Sequence, residues 1–352
     1  MKLILVALGS FLIVFTVLSH VRSAQWWIRI ADFPRVQIAF ALALVSGIFI
    51  RYFDPTSALD ASFGLALVGS LFYQCFRIFP YTRLAPRQVL NASPGGSSWM
   101  IRILISNVLM ENRRDKDFVA LVRECSPDLV LVLETDDWWD ERLRVLDGSY
   151  PHSIKRPQSN AYGMHLFSRL ELAESQVRCL VEDEVPSFRT EVSLRSSRRI
   201  VFYGIHPRPP EPRHDTEERD AELLIVGREV KESGRPAIVA GDLNDVAWSN
   251  TTRLFQRISG MLDPRRGRGM FSTFHADYPL CRWPLDHVFH DASFTLVRLQ
   301  RLRSIGSDHF PILVELKYEP REAAEQEAPE ASTEDLREAR DRISEGREVA
   351  AG

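Results

Sequence analysis

Three uncharged apolar runs, Leu3–Leu18, Val36–Ile50 and Ala61–Phe76, occupy most of the first 76 of 352 residues. A helix needs about 20 residues to cross a hydrocarbon core of about 30 Å. Each run is somewhat shorter, and Phe33, Tyr52, Phe53 and Phe79 extend their ends toward an interface. The pattern predicts about three transmembrane helices within residues 1–79. Between the first two runs, Trp26, Trp27, Arg29 and Arg35 suit an amphipathic stretch at headgroup level. A cleaved signal peptide is the competing reading of the first run, because Ser23 and Ala24 follow it. Two more apolar runs follow with no soluble domain between them, which favours an anchor. Arg22, Arg29 and Arg35 in the first connection, and Arg77, Arg83 and Arg87 after the third run, oppose Arg51 in the second connection. Lys2 pulls the other way. The positive-inside rule then puts the rest of the chain on the cytoplasmic side of a plasma (inner) membrane. No run carries an internal ionisable residue of the kind that lines an ion path, so the spans read as an anchor rather than a channel.

Beyond residue 79 the texture changes. Residues 80–98, ending in Asn-Ala-Ser-Pro-Gly-Gly-Ser-Ser, read as a linker. Residues 99–318 alternate short apolar runs with helical patterns. Strands are expected at Met100–Ile105, Leu129–Leu133, Leu166–Phe167, Ile200–Ile205, Ala237–Ala240, Trp283–His290 and Ile312–Leu316. Helices are expected over Arg113–Glu124 and from Asp215 or Thr216 through Lys231. Such a mixture predicts a layered α/β sandwich. Residues 319–352 hold eleven acidic and five basic side chains, a charged tail expected to be disordered or a solvated helix. The net charge of -3 therefore conceals a slightly basic body, which permits an anionic substrate without requiring one. Cys75, Cys125, Cys179 and Cys281 form no CxxC pair, so neither a disulfide framework nor a zinc site is indicated.

Polar residues of one chemical flavour cluster where strand candidates end. The segments are Ile105-Ser106-Asn107, Leu133-Glu134-Thr135-Asp136, Ile205-His206, Ala240-Gly241-Asp242-Leu243-Asn244 and Ser307-Asp308-His309-Phe310-Pro311; Pro284-Leu285-Asp286 opens another strand. Hydrolysis of a phosphate ester uses this inventory. Carboxylates hold a hard cation, amide and imidazole donors grip non-bridging oxygens, and a base readies water. Oxygen ligands without cysteine point to Mg2+ or Mn2+ rather than zinc. Singly, each residue has a plain structural reading as a turn former, cap or surface carboxylate; together and in this order they converge on one chemistry.

The pattern resembles the endonuclease/exonuclease/phosphatase superfamily over about Met100–Leu316, most strongly in Gly241-Asp242-Leu243-Asn244 and Ser307-Asp308-His309-Phe310-Pro311. The resemblance implies a four-layer α/β sandwich of the DNase I type behind the transmembrane region. It also implies roles. Glu134 would be the principal metal ligand, with Asn107 and Asp308. His206 would donate to a phosphate oxygen, Asp242 would orient or deprotonate water, and Asn244 would bond the phosphate. His309 would serve acid/base work with its ring fixed by Asp286. Between Asp242 and His309 the choice of base stays open. Several relatives carry an acidic partner for the first histidine near Met164, and this sequence has none.

The functional expectation is a membrane-anchored, Mg2+- or Mn2+-dependent phosphoesterase. Its partners would be the lipid bilayer and a substrate drawn from nucleic acid, phospholipid headgroups or small phosphate esters, with no obligate protein partner. The alternative is a catalytically inactive membrane scaffold of the same fold. No basic stripe interleaved with aromatics marks a duplex-binding face.

Overall fold

The computed structural model describes every residue except Arg213 and Gly352. The apolar runs fold into helices α1 (Lys2–Leu18), α3 (Arg35–Phe49) and α4 (Ala58–Ile78), with the short α2 (Trp26–Arg29) between the first two. Ser57 caps α4 by accepting from the backbone N–H of Asp60. Leu5, Leu12, Leu42, Val45, Phe49 and Leu67 pack the three-helix core, while Phe40, Leu65, Phe72 and Phe76 face outward. Arg35–Tyr52 and Ala58–Tyr81 are long and apolar enough to cross a membrane, and only 33% and 28% of their apolar windows is buried. Where about three spans were expected, two helices reach spanning length. The third, α1, stops at 17 residues, just before Ser19, His20 and Arg22.

Residues 100–318 build two facing sheets. The strands are β1 (Met100–Asn107), β2 (Leu129–Leu133), β3 (His152–Arg156), β4 (Met164–Ser168), β5 (Leu172–Cys179) and β6 (Pro186–Ser193). They continue with β7 (Arg199–Ile205), β8 (Ala237–Asp242), β9 (Asp286–His290), β10 (Phe294–Arg301) and β11 (Ile312–Tyr318). Among the described residues, one sheet runs β10-β11-β1-β2-β4-β3 and the other β5-β6-β7-β8-β9. Their inner faces meet through Ile103, Ile105, Leu131, Leu133, Phe188, Phe202, Ile238 and Ala240. The outer face of the first sheet is covered by α5 (Asp115–Cys125) and α6 (Asp137–Leu143), through Phe118, Val122 and Trp139 against Leu104, Val130 and Val132. The outer face of the second is covered by α7 (Glu217–Ser233) and α8 (Asn250–Ser259), through Leu223, Val226 and Phe255 against Val201, Tyr203 and Val239. Helix, sheet, sheet and helix make a four-layer sandwich.

Two segments depart from the sequence reading. Residues 80–98, expected as a connecting linker, are tied to the body: Tyr81 donates to the Ala247 carbonyl at 2.6 Å, and Leu296 pairs with Leu90. Of the two expectations for the tail, disorder or a solvated helix, Thr333–Ala351 takes the helix, α9, but with one edge packed rather than solvated. Its narrow apolar edge, Ala339 and Ile343, packs beside Leu224, Ile225 and Leu254. At Gly346 a Cβ would come within 2.5 Å of the Glu217 carbonyl oxygen and the Ala221 side chain, so only glycine permits this approach of α9 to α7.

The amino-terminal helices also grip the body. Arg29 reaches Thr251 Oγ1 at 2.7 Å and the Asp245 and Asp220 carboxylates at 3.4 and 3.8 Å. Trp248 donates its indole N–H to the Asp32 carbonyl, and Arg77 donates to the Trp248 carbonyl. These partners lie in α7, in α8 or in the short segment between Asn244 and α8.

Candidate active site

Parallel pairing sets β1 beside β2 in one sheet and β7 beside β8 in the other. The carboxyl ends of these strands carry Asn107, Glu134, His206 and Asp242. A hydrogen bond from Asn107 Nδ2 to Asp242 Oδ2, 3.2 Å, joins the two sheets across the cleft. The same amide donates to Glu134 Oε1 at 2.6 Å. Gly241 has φ near 150°, and a Cβ there would stand 1.8 Å from the Ile205 carbonyl oxygen. A glycine before Asp242 is thus what lets β8 end against β7.

Asp242 and Asp286 are paired residues of neighbouring β8 and β9. Between them sits His309, 4% exposed, with Nδ1 2.8 Å from Asp286 Oδ2 and Nε2 3.4 Å from Asp242 Oδ2. Burial works to lower the His309 pKa, but the two carboxylates outweigh it and push it up to about 10. Asn244 lies at φ 49°, its N–H bonded to Asp242 Oδ1 and its Nδ2 to the Pro207 carbonyl. His206 is enclosed, its Nδ1 without a partner among the described residues, and burial takes its pKa down to about 4. The missing acidic partner noted in the sequence thus leaves a neutral imidazole.

Asn107, Glu134 and Asp308 form the acidic corner. Burial, with Asp242 and Asp308 adding, pushes Glu134 up to about 7 against the Asn107 bond and His309. Among the described residues, neither Glu134 nor Asp308 has an arginine or lysine partner. A half-buried carboxyl group with an amide partner and no compensating cation suits a hard divalent ion. Asp242, Asp286 and His309 also lie within 4.8 Å of one another. There, however, imidazole already faces both carboxylates, so the uncompensated Glu134 corner is the better cation site.

All eight expected residues gather at one end of the sandwich. Others that sequence reading passed over brace them. Ser307 Oγ donates to the Asn107 carbonyl and accepts from the His309 N–H. Thr273 Oγ1 accepts from the Asp286 N–H. Arg219 donates to the Asn244 carbonyl at 2.8 Å while pairing with Asp220. Ser307 was visible inside its motif; Arg219 and Thr273 carried no local signal. Three further polar side chains are engaged by partners of their own. His165 is fixed by Thr135 and Asp140, His287 by Arg265 and the Asp245 carbonyl, and Arg208 pairs with Glu182.

Two facing sheets, helices outside and polar strand ends gathered at one edge define a DNase I-like sandwich. The model of the endonuclease/exonuclease/phosphatase family matches residues 104–309, and the chain belongs to that family. Members of this family are generally phosphoester hydrolases. Solved structures share the fold. A humanized D. rerio TDP2 is 19% identical at TM-score 0.53, covering 63% of this chain and all of that one. D. rerio TDP2 complexed with single strand DNA product is 17% identical at 0.53, covering 62% and 99%. An endonuclease/exonuclease/phosphatase from Beutenbergia cavernae is 18% identical at 0.52, covering 62% of this chain and 72% of that one. No curated protein gives a significant match.

Proposed function

We propose that this chain is a membrane-anchored phosphoesterase, dependent on Mg2+ or Mn2+, that hydrolyses phosphate esters by in-line attack of water. The observation that carries the reading is His309 held between Asp286 and Asp242 beside the uncompensated Glu134 corner. Glu134, Asn107 and Asp308 would hold the ion. A bound ion supplies neutralisation of the phosphate and of the charge that develops on it.

The remaining chemistry belongs to side chains. Both ring nitrogens of His309 face carboxylates, so both carry hydrogen, and the ring offers a charged donor to a phosphate oxygen or leaving group. That leaves Asp242 as the group that orients water and takes its proton. His206, neutral, donates one N–H to a non-bridging oxygen, and the Asn244 amide adds another. Asp286 is a positioning residue, holding the His309 ring. The outward-facing apolar residues of α3 and α4 support a membrane anchor.

The test uses the whole chain in detergent, because the amino-terminal helices pack into the body. Hydrolysis is followed on single-stranded and duplex DNA, RNA, phospholipid and a chromogenic phosphodiester, with Glu134→Ala and His309→Ala beside the wild type. Ion-dependent cleavage lost in both variants supports the reading. Folded protein that cleaves none of these and takes up no Mg2+ or Mn2+ overturns it in favour of an inactive scaffold.

A further inference from the structure

One loop connects the site to the apolar helices. Between α8 and β9, residues 274–283 fold back on themselves, with the His275 N–H bonded to the Cys281 carbonyl and the Cys281 N–H to that of Tyr278. One arm touches the site. The Phe274 ring lies 4.9 Å from that of His309, and the Ala276 N–H donates to the Asp308 carbonyl at 2.6 Å. The tip touches α3, where Gln37 Nε2 donates to the Leu280 carbonyl at 2.7 Å. Trp283 stacks on Phe274 and meets Phe33 edge-on, at 5.9 and 5.7 Å.

Gln37 is two residues inside the helical stretch Arg35–Tyr52, which is about 3 Å along the axis at the helical rise. If that stretch spans a bilayer, the Leu280 backbone stands at the depth of its first turn. The side chains at the tip match that depth. Leu280 is 84% exposed and Tyr278, edge-on to the His275 ring, 62%. Trp27 in α2 and Ile30 just after it are exposed as well. Tyrosine and tryptophan beside leucine, on backbone tied to the start of an apolar helix, form the surface expected at a headgroup boundary.

Resting on the phosphoesterase reading above, we propose that residues 275–283 seat in the membrane interface and that the substrate is a phosphate ester borne by a lipid of the same bilayer. The loop joins the interface to Asp308 and His309 within one short segment, so a headgroup reaches the site without its lipid leaving the membrane. Tethering in the plane of the substrate also raises its effective concentration. In the reaction the water oxygen forms a bond to phosphorus and one P–O ester bond breaks. One hydrogen of the water remains on the product phosphate, and the other ends on the departing hydroxyl.

Cys281, exposed beside Leu280, allows a direct test. The full chain is placed in nanodiscs of phosphatidylethanolamine and phosphatidylglycerol containing doxyl-labelled lipid. A fluorophore sits on Cys281, with Cys75, Cys125 and Cys179 changed to serine. The control carries its label on Cys179 alone, on edge strand β5 at the opposite side of its sheet from β9. Lipid quenching at Cys281 well above that at Cys179 is expected. With Leu280→Asp, hydrolysis of the nanodisc phospholipid is expected to fall about tenfold, while a chromogenic soluble phosphodiester and the water-soluble glycerophosphodiester of the same headgroup are cleaved as before. Quenching no greater than at Cys179 overturns the proposal whatever the activity. So does an equal loss on lipid and soluble substrates, or preferential cleavage of DNA or RNA. Quenching retained by a wild type that cleaves no phosphoester instead overturns the phosphoesterase reading, and the lipid substrate with it, while the loop's depth stands.

Discussion

Arg29, from the short helix before the second apolar run, pairs at 3.4 Å with Asp245, one residue beyond Asn244, and both side chains are 2% exposed. Asp220 and Thr251 share the same guanidinium. Burial favours protonation of Asp220, yet Arg29, Arg219 and Arg342 hold its carboxyl well below the usual range. Removing one cation from such a cluster leaves buried charge uncompensated, at a cost of about 3–5 kcal/mol for an isolated pair. Arg219 and Arg342 remain, so Arg29→Met is expected to cost roughly 2 kcal/mol. Thermal unfolding of the whole chain in detergent checks this; an unchanged midpoint would mean that the cluster is closed without the amino-terminal segment. The same reasoning predicts that a chain beginning at Trp99 is less stable than the whole protein.

Asp286 and His309 make a second checkable pair, 2.8 Å apart. Asp286→Asn keeps the shape and removes the charge that holds the imidazole protonated and oriented. Loss of such a partner typically lowers activity about 10–100-fold. The fall is expected in kcat with little change in KM, and the limb of the pH profile that His309 governs should move to lower pH. Equal changes in KM and no movement of the profile would instead mark Asp286 as a packing residue.

What the sequence revealed followed from locality. Runs such as Leu129–Leu133 are continuous apolar strands buried on both faces, and they end where the site residues begin. Hence Asn107, Glu134, His206, Asp242 and Asn244 were legible as strand-end residues, and the motif around Asp308 and His309 as the turn before β11. β5 was not, because Leu172–Cys179 is largely exposed and lacks apolar alternation. The docking of α9 was hidden by its charge, which allowed disorder or a solvated helix, since its contact with α7 needs only Ala339, Ile343 and Gly346. The pairing of Arg29 with Asp245 spans 216 positions, and no local pattern announces it. Equally silent was the contact between Gln37 and Leu280, which depends on where a loop closes in space.

Glu222 on α7 supplies a pH dependence away from the site. It is enclosed, its Oε1 has no partner among the described residues, and burial, with Glu182 adding and Arg178 opposing, pushes its pKa up to about 8. The folded protein therefore holds this proton more tightly than the unfolded chain, whose glutamates titrate near 4.5. Its penalty is absent below that value, grows as pH rises toward 8 and is constant above. Glu222→Gln should match the wild type near pH 4.5 and exceed it by roughly 2–4 kcal/mol at pH 8.5. Denaturant unfolding at the two values checks this, and a constant difference between the proteins would sink it.

Glu134 separates the cost of a site from its use. In the ion-free protein its carboxyl is half-buried, has no arginine or lysine partner among the described residues and is pushed up to about 7. Glu134→Gln removes that charge and keeps an acceptor for Asn107, so the ion-free variant should be at least as stable as wild type above pH 7. A ligand that binds only the folded state adds about 2.7 kcal/mol at one hundred times its Kd. Added Mn2+ or Mg2+ should therefore raise the unfolding midpoint of wild type and leave that of Glu134→Gln where it was. The two measurements bear on different claims. A variant that is destabilised without ion would mean that Glu134 serves packing, and a variant that still responds to ion would put the cation elsewhere, with the trio of Asp242, Asp286 and His309 as the next place to look.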